Sequence, residues 1–430
     1  MRSKILAILC MVLFGFSLFG EETRKDSIIV SVITCSPGEE IYELCGHAAV
    51  RIRGVADGQP IDSVWNYGVF DFDQPNFVYR FVKGETDYRV VGYPFAWFMP
   101  EYVEGHRTVT EQDLNLTEAE RKEMLGILRT AALPQNCVYR YNYVKNNCAT
   151  KIIDVLDSAA QSRVIYPDNV EYGTFRNEMR AYHKNYPWYQ FGIDLALGSG
   201  LDYSLRGREE MFVPTEMMAK LDGAHFENGN QVVKDKRVLF QGDGSAVLPP
   251  TPWYLTPLAF STLWLLICLG VVWYEMRKKR IVKLIYSIWF GICGLTGCLT
   301  AFLVFISTHE ASSPNLLLLW LNPLQLIFSI SVWSRRMRYV SAAMAWLNIT
   351  VLGCMLITWP FQAQSANPAF FPLMGATLAL AVAYAFVAYQ QFENEKNINN
   401  GALWSGDLER SGSGQPQRRR TSTPRGRNRR

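Results

Sequence analysis

The C-terminal half of the chain contains five long stretches without a charged residue, and they constrain the fold more than any other feature. The stretches cover residues 254–274, 284–307, 316–333, 339–359 and 370–390. Each is about long enough to cross a hydrocarbon core of roughly 30 Å as a helix. The sequence therefore predicts an all-α, five-helix transmembrane domain over residues 251–390.

Basic residues in the short loops predict the orientation of these helices. Five Lys or Arg residues lie between the first two stretches and three lie between the third and fourth, whereas the alternate loops contain none. Loops rich in Lys and Arg stay in the cytoplasm. We therefore expect a multi-pass membrane protein with residues 21–250 outside the cytoplasm. The tail over residues 391–430, rich in Ser, Gly, Pro and Arg, is expected to be basic, disordered and cytoplasmic.

The N-terminus agrees with this orientation. Arg2 and Lys4 precede an uncharged run from Ile5 to Phe19. A short basic segment followed by an apolar run is typical of a signal peptide, which we assign to residues 1–20.

The charge balance and the motifs exclude several classes of protein. The formal net charge is only +4, from 43 Lys and Arg residues against 39 Asp and Glu residues. This balance excludes a uniformly basic nucleic-acid-binding protein, so no nucleic-acid partner is expected. The sequence has no metal-ligand spacing and no complete phosphate-binding loop. We therefore expect neither a metal nor a cofactor.

The exported region has the pattern of an α+β domain, with its core over residues 26–160. Strands are predicted from Val and Ile content over residues 27–34, 46–53, 63–70 and 86–92. A helix is predicted over residues 117–132, because Thr117 and Glu120 form a capping-box pattern ahead of an apolar stripe. A second helix is predicted to start near Asn147, a good cap for the apolar positions that recur behind Cys148.

Cys148 is the candidate nucleophile of this region. A thiol in the first turn of a helix meets free amide groups and the positive end of the helix dipole, which favour the thiolate and predict a low pKa. His47 lies in a strand-like run and is the candidate base. A cysteine on a helix beside a histidine on a strand is the arrangement of papain-like catalysis. Because His47 precedes Cys148, we expect a circularly permuted papain-like fold.

Three blocks of the exported region, together with the membrane region, carry a family resemblance. Residues 45–52, 64–72 and 141–150 resemble the signature blocks of the Lnb N-terminal periplasmic domain. The membrane region, with His309, residues 313–316, Trp320 and Pro323, resembles the part that accompanies this domain in Lnb lipoprotein N-acyltransferases. More distantly, the order of His47 and Cys148 resembles NlpC-type and lecithin:retinol acyltransferase-like thiol enzymes.

The resemblance implies an acyltransferase in the envelope of a Bacteroides-like Gram-negative bacterium. It would lie in the bacterial inner membrane with its catalytic domain, residues 21–250, in the periplasm. A fatty acyl chain would pass from a membrane phospholipid, through a thioester on Cys148, to the N-terminal amine of a diacylglyceryl-cysteine lipoprotein. His47 would move the proton and Asn66 would orient His47. The Cys148 amide would stabilise the oxyanion, with help from Tyr141 or Tyr143.

Two further residues are candidates for binding lipid. His309, at the outer end of the second stretch, is a candidate for contacting a phospholipid head group or the lipoprotein backbone, or is an ordinary loop histidine. Trp97 lies in the aromatic run over residues 93–100, which either dips into the outer leaflet or packs on the core.

Other interpretations of the same residues stay open. The exported compartment permits disulfides, so Cys148 could be bonded to Cys137, and Cys35 is the candidate partner of Cys45. A papain-like cell-wall peptide hydrolase would use the same thiol and imidazole, although it would normally place its cysteine before its histidine. In a non-catalytic envelope scaffold, both residues would be structural.

Overall fold

A computed structural model describes residues 26–71 and 73–412, with side chains described as far as residue 394. The proposed signal peptide over residues 1–20 lies outside these residues. The chain divides into two compact units. One contains the exported region through Phe260 together with Leu299–Leu318 and Phe361–Ala369, and the other contains the remaining membrane segments.

The exported unit is built on an antiparallel sheet of seven strands, in the order β6-β4-β3-β2-β1-β5-β9. Its strands are β1 (Ser27–Cys35), β2 (His47–Ala56), β3 (Gln59–Val69), β4 (Asp87–Pro94), β5 (Val109–Leu114), β6 (Val138–Arg140) and β9 (Val233–Phe240). A second, two-stranded sheet pairs β7 (Val164–Ile165) with β8 (His225–Phe226). The four strands predicted from the sequence are confirmed as β1 to β4.

Eight helices accompany the sheet in the described part of the exported unit. They are α1 (Phe77–Lys83), α2 (Phe95–Glu104), α3 (Glu118–Ala131), α4 (Cys148–Ala159), α5 (Phe175–Tyr182), α6 (Pro187–Ala196), α7 (Gly207–Glu210) and α8 (Pro214–Gly223). The capping box of α3 is confirmed, since the Thr117 hydroxyl accepts from the Glu120 amide and the Glu120 carboxylate accepts from the Thr117 amide.

The sheet is covered on both faces, and successive residues of β2 point to opposite sides. Ala48 and Val50 pack into a core formed with α3, α4 and α8, whereas Ala49 packs with Phe98 and Tyr102 of α2. Because both faces are buried near the start of β2, its apolar residues there are consecutive rather than alternating. The observed architecture is α+β; its relation to a permuted papain fold stays an interpretation.

Two loops from the membrane region belong to the exported unit. The Ser307 hydroxyl donates to the Val82 carbonyl at 2.9 Å, and Lys145 forms an ion pair with Glu310. In the second loop, Arg180 donates to the Ser365 hydroxyl at 2.8 Å. These are the two loops without Lys or Arg, so the contacts agree with the orientation predicted from charge.

The membrane unit contains four helices that are long and apolar enough to cross a bilayer, among the residues that the structure describes. The helices of this region are α9 (Pro257–Lys278), α10 (Lys283–Phe305), α11 (Gln325–Ser331), α12 (Arg338–Thr358) and α13 (Phe370–Gly412). The predicted third helix, over residues 316–333, is therefore wrong as a continuous span. It consists of a short 3-10 turn, Leu316–Leu319, and the seven-residue α11.

The broken segment packs antiparallel to α10. The Ser287 hydroxyl donates to the Ser329 carbonyl at 2.9 Å, and Gly294 and Gly297 lie against Leu326 and Asn322. A side chain at either glycine would clash with the facing backbone, so the glycines permit this close approach. Pro323, which lacks an amide hydrogen, precedes α11 and cannot continue a regular helix from the 3-10 turn.

The last helix extends beyond its apolar part. The helix α13 continues to Gly412, so residues 391–412, which the composition predicts to be disordered, are helical. The remainder of the predicted disordered tail, residues 413–430, lies outside the described residues.

Candidate active site

Cys148 is the first residue of α4, and Asn147 fixes the helix at this point. The Asn147 side chain accepts from the Thr150 amide at 3.0 Å, and the Thr150 hydroxyl accepts from the Asn147 amide at 2.8 Å. The Asn147 amide group also donates to the carbonyls of Tyr143 and Phe212, each at 2.7 Å. The predicted helix start is thus confirmed, and a buried asparagine holds the thiol in the first turn.

The surroundings of Cys148 favour the protonated thiol over the thiolate. Burial raises the pKa of the Cys148 thiol above its ordinary value. The backbone amides of Ala48, Ala149 and Cys148 itself lower the pKa, as the helix start predicts, but burial outweighs them. The expectation of a low pKa at Cys148 is therefore wrong, and the resting side chain is a thiol.

His47 begins β2 and is oriented by a chain of side-chain hydrogen bonds. Its Nε2 lies 2.7 Å from Asn66 Oδ1, and Asn66 Nδ2 donates to the Tyr93 hydroxyl at 2.9 Å. Because Nδ2 of the amide is the donor to Tyr93, Oδ1 accepts from the imidazole and Nε2 carries the hydrogen. The lone pair is then on Nδ1, the nitrogen free to accept a proton.

The imidazole of His47 is neutral at physiological pH. Its pKa is lowered to about 4. Burial is the largest cause; the hydrogen bond to Asn66 acts in the opposite direction, and the nearby Arg107 guanidinium contributes to the lowering. The imidazole stacks on the Tyr102 ring with a centroid distance of 6.4 Å. The orienting group is an amide rather than a carboxylate, so it adds no negative charge to stabilise an imidazolium.

Cys148 and His47 lie at the same end of β2 but are not joined by a hydrogen bond. The Ala48 amide, next to His47 in the chain, is directed at the thiol. In the described part of the chain, the imidazole bonds to Asn66 and not to Cys148. Catalytic hydrogen bonds are often long in the absence of substrate, so this geometry leaves proton transfer to a substrate-bound state.

The predicted oxyanion donors differ in their relation to the thiol. A thiolate at Cys148 would raise the pKa values of Tyr139 and Tyr141, so both lie within reach of its charge. Tyr143 instead pairs with Cys45, whose Sγ lies 3.1 Å from its hydroxyl. Tyr141 is thus the better placed of the two predicted tyrosines. Tyr139 is not among the residues predicted from the sequence, although its spacing of two from Tyr141 in an extended segment puts both on one side.

The exported cysteines are all free. Cys35, Cys45, Cys137 and Cys148 form no disulfides in the structure, so neither pairing considered from the sequence is present. Cys45 contacts Tyr143 and the Cys137 thiol is directed at the Pro134 carbonyl. The sulfur of Cys148 is therefore available for chemistry.

Two family models match the chain. The Lnb N-terminal periplasmic domain matches residues 19–179, and the Lnb transmembrane domain matches residues 250–392. The chain belongs to the Lnb family. No curated protein and no solved structure matches it. The two matches, with the apolar helices, establish an inner-membrane Lnb protein whose N-terminal domain is periplasmic.

His309 of this Lnb protein fastens a membrane loop to the exported unit. Its Nε2 lies 2.8 Å from the Phe81 carbonyl, and its ring meets the Phe81 ring edge-on at 6.3 Å. The structure thus gives His309 a clear positional role. The proposed contact of His309 with lipid stays a prediction.

More aromatic side chains are exposed in α1 than in residues 93–100, the aromatic run considered from the sequence for insertion into the outer leaflet. Residues 93–100 form the end of β4 and the start of α2, where Phe98 is buried and Trp97 is 73% exposed. In α1, Val78, Tyr79 and Phe81 are all exposed, and Tyr79 contacts Phe302 near the end of α10. This helix of the Lnb chain is not among the elements predicted from the sequence. Three apolar exposed residues in seven, beside the outer end of a span, mark a surface for the membrane interface.

The lowered pKa of His47 predicts that the rate of Cys148 acylation falls only at an unusually low pH. The base is neutral above its pKa of about 4 in the folded protein, whereas an unperturbed imidazole would already be protonated below about 6.5. The rate of Cys148 acylation by an activated ester is expected to stay level as pH falls to about 5 and to drop nearer 4. Single-turnover acylation of the purified full chain measures this step without the acceptor amine. A midpoint near 6.5 would contradict the neutral, buried imidazole.

Proposed function

We propose that this protein is a lipoprotein N-acyltransferase. The observation that carries the proposal is an unbridged thiol at an asparagine-capped helix start, at the same strand end as an imidazole held by Asn66. Membership of the Lnb family supports the lipoprotein substrate, and the apolar helices support a reaction at the bilayer.

The first half-reaction moves the acyl chain onto the enzyme. His47 Nδ1 accepts the thiol proton as Cys148 Sγ attacks the ester carbonyl of a membrane phospholipid. The tetrahedral adduct then breaks the ester C–O bond, and the departing glycerol oxygen takes the proton from His47. The products are a lysophospholipid and an acyl thioester on Cys148.

The second half-reaction delivers the chain to the acceptor. The N-terminal amine of a diacylglyceryl-cysteine lipoprotein attacks the thioester carbonyl, and His47 removes a proton from the attacking nitrogen. The C–S bond breaks, and the sulfur regains a proton from the imidazolium. The amide that forms is more stable than the thioester, so the step runs forward without another reactant.

Charge develops on the carbonyl oxygen in both half-reactions. The amides that lower the pKa of Cys148 are the groups best suited to stabilise this charge, because they already favour a negative sulfur. The hydroxyls of Tyr139 and Tyr141 supply further donors from the facing segment. Asn66 serves as a positioning residue through its bond to His47.

The exposed side chains of α1 account for access to lipid. Backbone carbonyls at its C-terminal end accept hydrogen bonds from Ser307 and Thr308, which follow the second span. A helix fixed there with Val78 and Tyr79 exposed suits the outer leaflet. Both substrates of the proposed reaction are anchored in that leaflet, so the domain needs to stay close to it.

The proposal is tested in cells depleted of their own lipoprotein N-acyltransferase. Mass spectrometry of lipoprotein N-terminal peptides is expected to find one additional acyl chain when the full chain is expressed. His47→Gln should lower the initial rate of N-acylation by about a hundredfold or more, because general base catalysis contributes roughly 10²–10⁴. His106→Gln is the matched control, since His106 is an exposed histidine paired with the exposed Asp243.

Three outcomes would contradict the proposal. Normal N-acylation with His47→Gln would remove His47 as the base. Unmodified lipoproteins with a correctly inserted wild-type chain would remove the acyltransferase function. Cleavage of cell-wall peptides under the same conditions would favour the hydrolase instead.

A further inference from the structure

The membrane unit contains a cavity of about 890 Å³ that no step of the proposed reaction uses. Among its described lining residues are four cations and no Asp or Glu. The cations are Arg280, Lys283, Arg335 and Arg338. They come from the two basic loops that the sequence assigns to the cytoplasm. The cavity is therefore a concentration of positive charge at the cytoplasmic ends of the helices.

Three of the four lining cations have no carboxylate partner among the residues that the structure describes. None of the ion pairs in the described part of the chain involves Arg280, Lys283 or Arg335. The carboxylate of the nearby buried Glu275 accepts hydrogen bonds from the Val282 amide at 2.6 Å and from the Tyr286 hydroxyl at 2.8 Å. These three cations meet in one concave site, and such a concentration of positive charge favours an anionic ligand.

The rule that places basic residues in cytoplasmic loops does not by itself explain the cavity. Lys278 and Arg336 lie in the same loops and satisfy that rule equally well, but neither lines the cavity. The lining cations come from separate loops and meet around one space. Two long helices also begin there, α10 at Lys283 and α12 at Arg338, and amides of a first helical turn add to the positive potential.

The rest of the lining identifies the ligand as an amphiphile rather than a soluble anion. Leu284 and Trp333 line the cavity and are 60% and 54% exposed, so its rim is apolar. In a membrane-spanning unit, exposed apolar side chains face lipid. Lys283 Nζ lies 5.8 Å from the centre of the Trp333 ring, which brings the charged and apolar walls together. A bound phospholipid can leave its acyl chains in the bilayer past this rim.

We propose that this cavity binds the phosphate head group of an anionic phospholipid of the inner leaflet. Arg280, Lys283 and Arg335 surround the phosphate, and the glycerol and acyl chains lie against Leu284 and Trp333. Basic pockets between membrane helices on the cytoplasmic side are suited to such head groups. The site is separate from Cys148 and requires no acyl transfer.

The test compares two charge-matched variants of the full chain. Arg280→Gln/Arg335→Gln removes two lining cations, and Lys278→Gln/Arg336→Gln removes two cations from the same loops outside the cavity. Native mass spectrometry from detergent, with titrated dioleoylphosphatidylglycerol, measures the affinity. The wild type and the control variant are expected to bind one such lipid alike. The lining variant should have an affinity for this lipid at least about tenfold lower, because charge-assisted hydrogen bonds between arginine side chains and phosphate are strong.

Parallel titrations decide the source of the phosphate and separate this site from the catalytic one. Dioleoylphosphatidylcholine should bind more weakly, and millimolar inorganic phosphate should not displace the lipid. Cys148→Ala should leave this binding unchanged. Equal loss in both double variants, equal binding of the two lipids, or displacement by inorganic phosphate would each overturn the proposal. None of these outcomes depends on whether the protein transfers acyl chains.

Discussion

Replacement of Cys148 by serine is expected to lower the rate of acyl transfer by about a thousandfold or more. A serine hydroxyl is a much poorer nucleophile than a thiol. Its proton is also less acidic, so the imidazole of His47 removes it less readily. Loss of a nucleophile commonly removes most of the catalytic contribution of the group that assists it. The fold should tolerate the change, because serine has nearly the shape of cysteine and Asn147 still caps α4.

Two measurements distinguish this loss from a structural effect. Mass spectrometry of the wild-type protein incubated with phospholipid is expected to find an acyl group on Cys148 that hydroxylamine removes, as a thioester requires. Cys137→Ser is the matched control, because Cys137 is also a free cysteine of the exported unit but is not at a helix start. If Cys148→Ser transfers acyl chains at the wild-type rate, the sulfur has no covalent role.

The local features of the site follow from short sequence patterns. Asn147 and Thr150 satisfy the free amides of the first turn, so the start of α4 at Cys148 can be predicted from a few neighbouring residues. The strands β1 to β4 are likewise predictable from runs of Val and Ile. The distance between His47 and Asn66 is a consequence of hairpin pairing, in which Ala49 of β2 faces Asn66 of β3.

The features that sequence patterns miss are set by tertiary packing. The helix start favours the Cys148 thiolate, but Cys148 belongs to a core that also contains residues of β2, α3 and α8, and burial there reverses the sign of the pKa shift. The third apolar stretch is long enough to span a membrane as a helix. It is broken at Pro323, and Leu326 and Asn322 pack against glycines of α10, a contact that hydropathy does not report.

A buried charge network in the exported unit is a further case that composition does not reveal. Arg176 of α5 is almost completely buried and pairs with Asp194 at 2.9 Å and Asp202 at 2.8 Å. It also donates to the carbonyls of Leu197 and Gly198. Asp194 in turn accepts from Asn367 at 2.9 Å, in one of the loops between membrane segments. Arg176 therefore supports the segment that holds this loop in the exported unit, together with Arg180, which also pairs with Asp194 at 3.1 Å.

Substitution of Arg176 by methionine is expected to lower the free energy of unfolding of the exported unit by about 3–5 kcal/mol, because it leaves two buried carboxylates without their principal cation. The matched control is Arg208→Met. Arg208 also pairs with two acids, Asp154 and Asp157, but its side chain is 46% exposed, so the loss should be only about 0–1 kcal/mol. Urea unfolding of the full chain in detergent, followed by tryptophan fluorescence, measures both changes. Equal losses for the two variants would mean that the Arg176 network is no more than a surface ion pair in its effect, and the loop that Asn367 belongs to would then owe its position to other contacts.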